Sequence, residues 1–261
     1  MYDKRILVPI VGMLLIIALP VIVTLRGQTT TRPSEQVQDI KATFPRVDYS
    51  YGSVSDPARK ARGRNYGKLK TIDPNITEDD QSFIHVDWEV GVTALPVDKS
   101  IVVVRGTVVE SNAFLSDNKE NVYSEFKIKI EEVFKNETDA ELKKGYYIFA
   151  ERDGGIVRFP SGFEKWVLIA SQRMPTTGSR YLFFLNRDFP LSGISKSDLN
   201  VLTAYELKDE IVIPLDTPGG ETSPFLEFSG KKRQLLFEKL REKLKDSRGN
   251  ASQIPDNGGE L

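Results

Sequence analysis

His85, Asp87 and Glu89 are the residues of this chain whose types and spacing come nearest to a reaction centre. In an extended strand an every-second-residue set projects from one face. An imidazole and two carboxylates there could hold a divalent cation or exchange protons, the machinery of a metal-assisted hydrolase. The same strand offers a plainer account, because Ile84, Val86, Trp88 and Val90 fill its other face. Any alternating edge strand produces a polar outer row of this kind without chemistry. His85 is the sole histidine and there is no cysteine, which excludes thiolate nucleophiles, disulfides and zinc sites built on Cys or on clustered His. A Ser-His-Asp triad would have to use His85, and no G-x-S-x-G accompanies it; the phosphate-loop, dinucleotide and H-E-x-x-H signatures are also missing. Glu131 with Glu132, Glu125 or Asp153 could supply a glycosidase carboxylate pair, but neighbouring strand residues point to opposite faces. The expectation is therefore no catalytic residue, no metal and no cofactor, with the hydrolase at His85, Asp87 and Glu89 as the competing reading.

The elements that would position such residues begin with a membrane signal. MYDKR precedes an uncharged run from Ile6 to Leu25, which as a helix would extend about 30 Å and cross a bilayer. A cleaved signal peptide has a shorter apolar region of about 7–15 residues, so residues 1–26 read as a retained signal-anchor. Basic residues flank both ends, Lys4 and Arg5 before and Arg26 and Arg32 after. A short basic head before a long apolar run still favours an inside N-terminus and a domain outside the cytoplasm. Residues 27–81 read as a polar stalk or linker. Its basic run Arg59-Lys60-Ala61-Arg62-Gly63-Arg64 is expected to be solvated, and Tyr49, Tyr51 and Tyr66 sit among these charges. Thirty-six basic residues against 37 acidic ones leave a net charge of -1, so no global field attracts nucleic acid and none is expected as a partner.

Residues 82–247 read as a single β domain with a C-terminal helix, and 248–261 as a disordered tail. The domain is organised around the stretch from Ile101 to Lys135. Val122, Ser124, Phe126, Ile128 and Ile130 alternate with Tyr123, Glu125, Lys127 and Lys129, the period of a half-buried strand. The phase slips at Glu131–Glu132, where an extra residue would make a β-bulge. Gly106 falls inside the preceding strand and permits a bend. Two bent, twisted strands are the raw material of a small closed barrel. Gly145 to Pro160 reads as a hairpin turning at Asp153-Gly154-Gly155, Lys165-Trp-Val-Leu-Ile as a strand, and Arg180-Tyr-Leu-Phe-Phe-Leu as a central strand covered on both sides. Val201–Leu207 and Ile211–Leu215 follow across a turn. Ser229 is the expected N-cap of a helix reaching about Lys245, with Leu236, Leu240 and Leu244 at i, i+4 and i+8 and Phe237 beside them.

The segments IVVVRGTVVES, YSEFKIKIEEVFKN, KKGYYIFAERDGG and GSRYLFFLNR resemble the small OB-like barrels of the netrin-module and tissue-inhibitor-of-metalloproteinases type. Similar bacterial secreted or membrane-anchored domains share this pattern. The resemblance covers about Ser100–Arg187 and implies a barrel that makes contacts through its loops. The inhibitors block zinc with an N-terminal cysteine and carry several disulfides; this chain has no cysteine, so that mechanism does not transfer. The expected protein is a single-pass membrane protein presenting an all-β, OB-like barrel as a binding module for a protein partner. Its expected contact loops are Ser111–Asn121 and Asp188–Asn200, with Phe114 and Phe189 as the contact residues. A third reading makes the chain a structural spacer of an envelope complex.

Overall fold

The computed structural model describes residues 44–50, 57–68, 70–84, 92–187, 199–218 and 220–251. In chain order their elements are β1 (Arg46–Asp48), α1 (Pro57–Asn65), β2 (Asp80–Ile84), β3 (Val102–Leu115), β4 (Val122–Asn136), β5 (Tyr147–Asp153) and β6 (Gly155–Arg158). They continue with β7 (Glu164–Ile169), β8 (Arg180–Arg187), β9 (Leu199–Lys208), β10 (Ile211–Pro214) and α2 (Arg233–Ala251). The class is all-β with one long helix. The Ile6–Leu25 run lies outside the described residues, and among those residues no helix is long and apolar enough to cross a membrane.

β3 and β4 pair antiparallel from Val102 with Asn136 to Leu115 with Val122, and the register shifts three times on the way. One shift falls where the alternation slips in the sequence. Arg105 faces Glu132 and Gly106 faces Ile130, leaving Glu131 as the bulged residue. A Cβ on Gly106 would lie 2.6 Å from Ile128 Cγ2 and 2.8 Å from the Lys129 carbonyl oxygen, so only bare backbone fits at this bend. β3 then pairs with β8, β8 with β9, β9 in parallel with β5 at Ala150–Leu199 and Glu151–Asn200, and β5 with β4. The pairings β3–β4–β5–β9–β8 thus return to β3. β10 extends β9 as a hairpin, turning where Asp209 takes a φ of 50°. A separate sheet holds the antiparallel β6–β7 hairpin between β1, parallel to β6, and β2, parallel to β7.

The expected hairpin over Gly145–Pro160 does not form. β5 and β6 belong to different sheets, and Gly154 at φ +100° is the corner where the chain leaves one for the other. A Cβ there would be 2.7 Å from the Val167 carbonyl oxygen. The glycine pair therefore serves a crossing between layers, which needs positive φ as much as a hairpin does.

Apolar residues sort into two main cores separated by β8. Tyr181, Phe183 and Leu185 face the interior of the ring with Val104, Phe126 and Ile128. Leu182 and Phe184 face outward, where Leu236, Phe237, Leu240 and Leu244 of α2 cover them. The expected central strand and the expected packing of the helix stripe on its own domain are both found. The helix starts later than its sequence signal, because Phe225 and Phe228 are buried in a 3-10 turn (Pro224–Phe228) and residues 230–231 pair with Val212 first. Ser229 closes that turn and does not cap α2. The helix also runs on to Ala251, into the expected tail.

The described residues of the segment expected as a linker, 44–50, 57–68 and 70–81, carry anchors that pack on the domain. Phe44, Tyr66 and Ile72 are buried, β1 pairs with β6, and β2 begins at Asp80. Lys165, opposite Asp80 on β7, holds that carboxyl below its ordinary value of 3.8. This pair therefore contributes at all pH values above the ordinary one and is lost as pH falls through the lowered value.

Arg152 and Asp216 tie the ring to the loop after β10. Arg152 Nη1 and Nη2 donate to the two Asp216 oxygens at 2.8 and 2.7 Å, and the side chains are 2% and 0% exposed. Nη1 also donates to the Arg173 carbonyl oxygen at 2.6 Å. Asp216→Ala would strand a buried guanidinium, and its expected cost is about 3–5 kcal/mol in denaturant unfolding. Arg152→Met combined with Asp216→Leu is expected to recover most of that loss; equal loss in both variants would contradict this account.

Candidate binding surface

The alternation of β4 and β5 sets what the ring shows to its surroundings. Phe126, Ile128, Ile148 and Ala150 point inward and are buried. Lys127 and Lys129 alternate with them outward and lie opposite Phe149 and Tyr147 in register. Tyr147 is 51% exposed, Phe149 47% and Tyr146 49%. The bulge between Val108 and Glu110 adds Val109 to the exposed residues. Lys127 Nζ lies 5.1 Å from the Tyr147 ring centroid and 3.8 Å from Glu110 Oε2. Lys144 is exposed just before the patch. Three large aromatic rings in water beside ammonium groups cost the free protein solvation it could have avoided. Tyr147 and Phe149 adjoin on one face of β5, and adjoining exposed apolar side chains mark contact sites.

The other end of the same strands is already occupied. Tyr66, in a 3-10 turn after α1, stacks on Tyr123 with ring centroids 4.2 Å apart and planes 6° from parallel. Its hydroxyl donates to Glu151 Oε2 at 3.0 Å. Arg59 of α1 donates to Glu125 at 3.1 Å and places its guanidinium 4.2 Å from the Phe114 ring centroid. The basic run expected to be solvated thus supplies a strap across the outer wall.

That strap changes the standing of the expected contact residues. Phe114 is half-buried between Arg59 and Tyr123. The expected loop from Ser111 is strand as far as Leu115, and its remaining turn is engaged by the chain's own backbone. Asp117 N donates to Gly63 O at 3.1 Å, Asn118 Nδ2 to Gly67 O at 2.9 Å, and Lys119 Nζ to Tyr49 O at 3.3 Å. Phe189 lies outside the described residues, as do His85, Asp87 and Glu89. Among the described residues no group of three His, Cys, Asp or Glu is placed to hold a metal. The clear tyrosine shifts belong to the core: burial pushes the Tyr181 and Tyr205 hydroxyls up, and Tyr205 donates to the Ala94 carbonyl oxygen at 2.6 Å.

Tyr147→Ala and Phe149→Ala are expected to leave unfolding stability within about 0.5 kcal/mol, since both rings are half in water. Tyr66→Ala removes a stacked ring and the hydroxyl that Glu151 accepts, so trypsin should cut faster between Arg59 and Arg64 in that variant alone. Equal trypsin rates in the native chain and Tyr66→Ala would show that the strap does not depend on this contact. No family model, no curated protein and no solved structure matches the chain.

Proposed function

We propose that the chain is a membrane-anchored binding module that holds an acidic surface of a protein partner against Tyr146, Tyr147 and Phe149. The observation that carries this reading is the pair of exposed rings Tyr147 and Phe149 in register with Lys129 and Lys127, with Tyr146 exposed just before them. Tyrosine and arginine anchors supply most of the energy of protein interfaces when a partner excludes water around them. Lysines at the rim choose acidic partners and speed encounter. An OB-like barrel is the finer fold assignment. In its favour, the pairings run first–second–third–fifth–fourth–first among β3, β4, β5, β8 and β9, with the third and fifth strands parallel. In such barrels the second and third strands carry the ligand face, and here those strands are β4 and β5. The run Ile6–Leu25 serves as the signal-anchor that holds the barrel outside the cytoplasm.

A photo-crosslinking amino acid at position 149 of the full-length chain, in the membranes of its own cells, tests the surface. The expected result is one adduct of discrete mass, absent when the probe is moved to Ser161 and lost in the Lys127→Glu, Lys129→Glu double variant. Adducts that are the same at 149 and 161, or that survive the charge reversal, overturn the assignment. A reporter fused after Leu261 that works only outside the cytoplasm tests orientation, and an inactive reporter with a correctly inserted chain overturns the extracytoplasmic placement.

A further inference from the structure

A groove of about 560 Å³ lies between the start of α2 and the outer side of the ring. Four arginines line it, Arg105 from β3, Arg180 from β8, and Arg233 and Arg241 from α2. Glu131, the bulged residue of β4, is the post on which two of them lean. Arg180 Nε donates to Glu131 Oε1 at 2.9 Å, Arg105 Nε lies 3.3 Å from Oε2, and Thr107 Oγ1 donates to Oε1 at 2.8 Å. A guanidinium is a planar fork of five donors. Arg180 uses only Nε, and its Nη atoms make no ion pair or hydrogen bond with a described residue. Arg105 uses Nη1 on Glu132 at 3.1 Å, and its guanidinium carbon lies 5.6 Å from the Phe237 ring centroid. Arg233 uses Nη2 on Glu210 at 2.7 Å. The Arg241 side chain makes no ion pair or hydrogen bond with any described residue. Arg233 and Arg241 stand eight residues apart with Phe237 midway, so all three share one side of the helix.

Glu131, Glu210 and Glu238 also line the groove. Glu131 and Glu210 hold arginines in place, Glu132 holds Arg105 from beside the groove, and Glu238 accepts from Gln234 Nε2 at 2.9 Å, so Arg241 is the lining arginine without a carboxylate partner among the described residues. We infer that the groove binds a small organic phosphate, a monoester whose dianion meets Arg180, Arg241 and the remaining Nη of Arg233 while its apolar part lies against the groove edges of Phe237 and Leu207. Three acceptor oxygens suit guanidinium forks arriving from different elements better than the two of a carboxylate do. The volume is in the range of small-molecule pockets, about 300–1,000 Å³. The groove shares β4 with the aromatic patch, Glu131 serving one and Lys127 and Lys129 the other, but it uses none of the patch residues and does not rest on that reading.

Calorimetric titration of the full-length chain in mild detergent with phenyl phosphate is the test. Inorganic phosphate and benzoate serve as the two comparison probes. One saturable site is expected for phenyl phosphate, with both comparison probes at least about tenfold weaker. Arg241→Gln, which breaks no contact among the described residues, is expected to weaken phenyl phosphate by about tenfold with unfolding unchanged, and Lys127→Gln to leave it as in the native chain. No saturation, native affinity in Arg241→Gln, or an equal loss in Lys127→Gln overturns the site. Equal affinity for inorganic phosphate overturns the apolar half of the assignment, and equal affinity for benzoate overturns the phosphate half.

Discussion

A 14-residue strand beside a 15-residue strand cannot stay flat and also belong to a ring of five, so both must bend at the same place. Gly106 meets that constraint, because it alone lets the β3 backbone approach Ile128 and the Lys129 carbonyl where Glu131 is extruded. With the bend in place, the first half of β3 can turn to β8 while the second half runs on beneath the smaller sheet. Closure of the ring through β5 and β9, the seat of α2 and the placement of Glu131 outside the ladder all follow from this approach. A bulge thus both curves the sheet and re-aims a side chain.

β8 is the wall that both main cores share. Its inward residues fill the ring and its outward residues meet α2, so no layer can be removed without uncovering the other side of the same strand. Tyr205 extends this coupling, with edge-on contacts to Phe184, Phe225 and Phe228 and a hydrogen bond to Ala94. Arg152 and Asp216 do the same with charge where aromatic packing ends.

What could be read in the sequence was whatever local periodicity controls. The alternation of β4, its slip at Glu131, the double-sided burial of β8 and the stripe of α2 are all local patterns, and the structure has them. Partner choice is not local. Gly154-Gly155 satisfies a hairpin turn and a layer crossing equally well, so nothing local separates β5 from β6. The 27–81 segment looked like linker because a few well-spaced residues anchor its described part, Phe44, Tyr66 and Ile72, and sparse anchors leave no period. The patch at Tyr147 and Phe149 did leave a trace. In β5 the bulky residues alternate with Ile148 and Ala150, and the larger set faces out, the reverse of an ordinary half-buried strand. The arginine groove left none, since its residues come from elements far apart in the chain.

The closed ring also sets an order of events as the chain is made. β3 meets β4 after one turn, but its other edge, Val102–Thr107, has no partner until β8 has emerged. At about 5–20 residues per second, residues 108–179 hold that edge open for several seconds. A valine-rich edge left waiting is a template for the wrong chain. Arg105 puts a charge on it and the bend at Gly106 twists it away from a flat neighbour, so the features that close the mature ring also guard the nascent one.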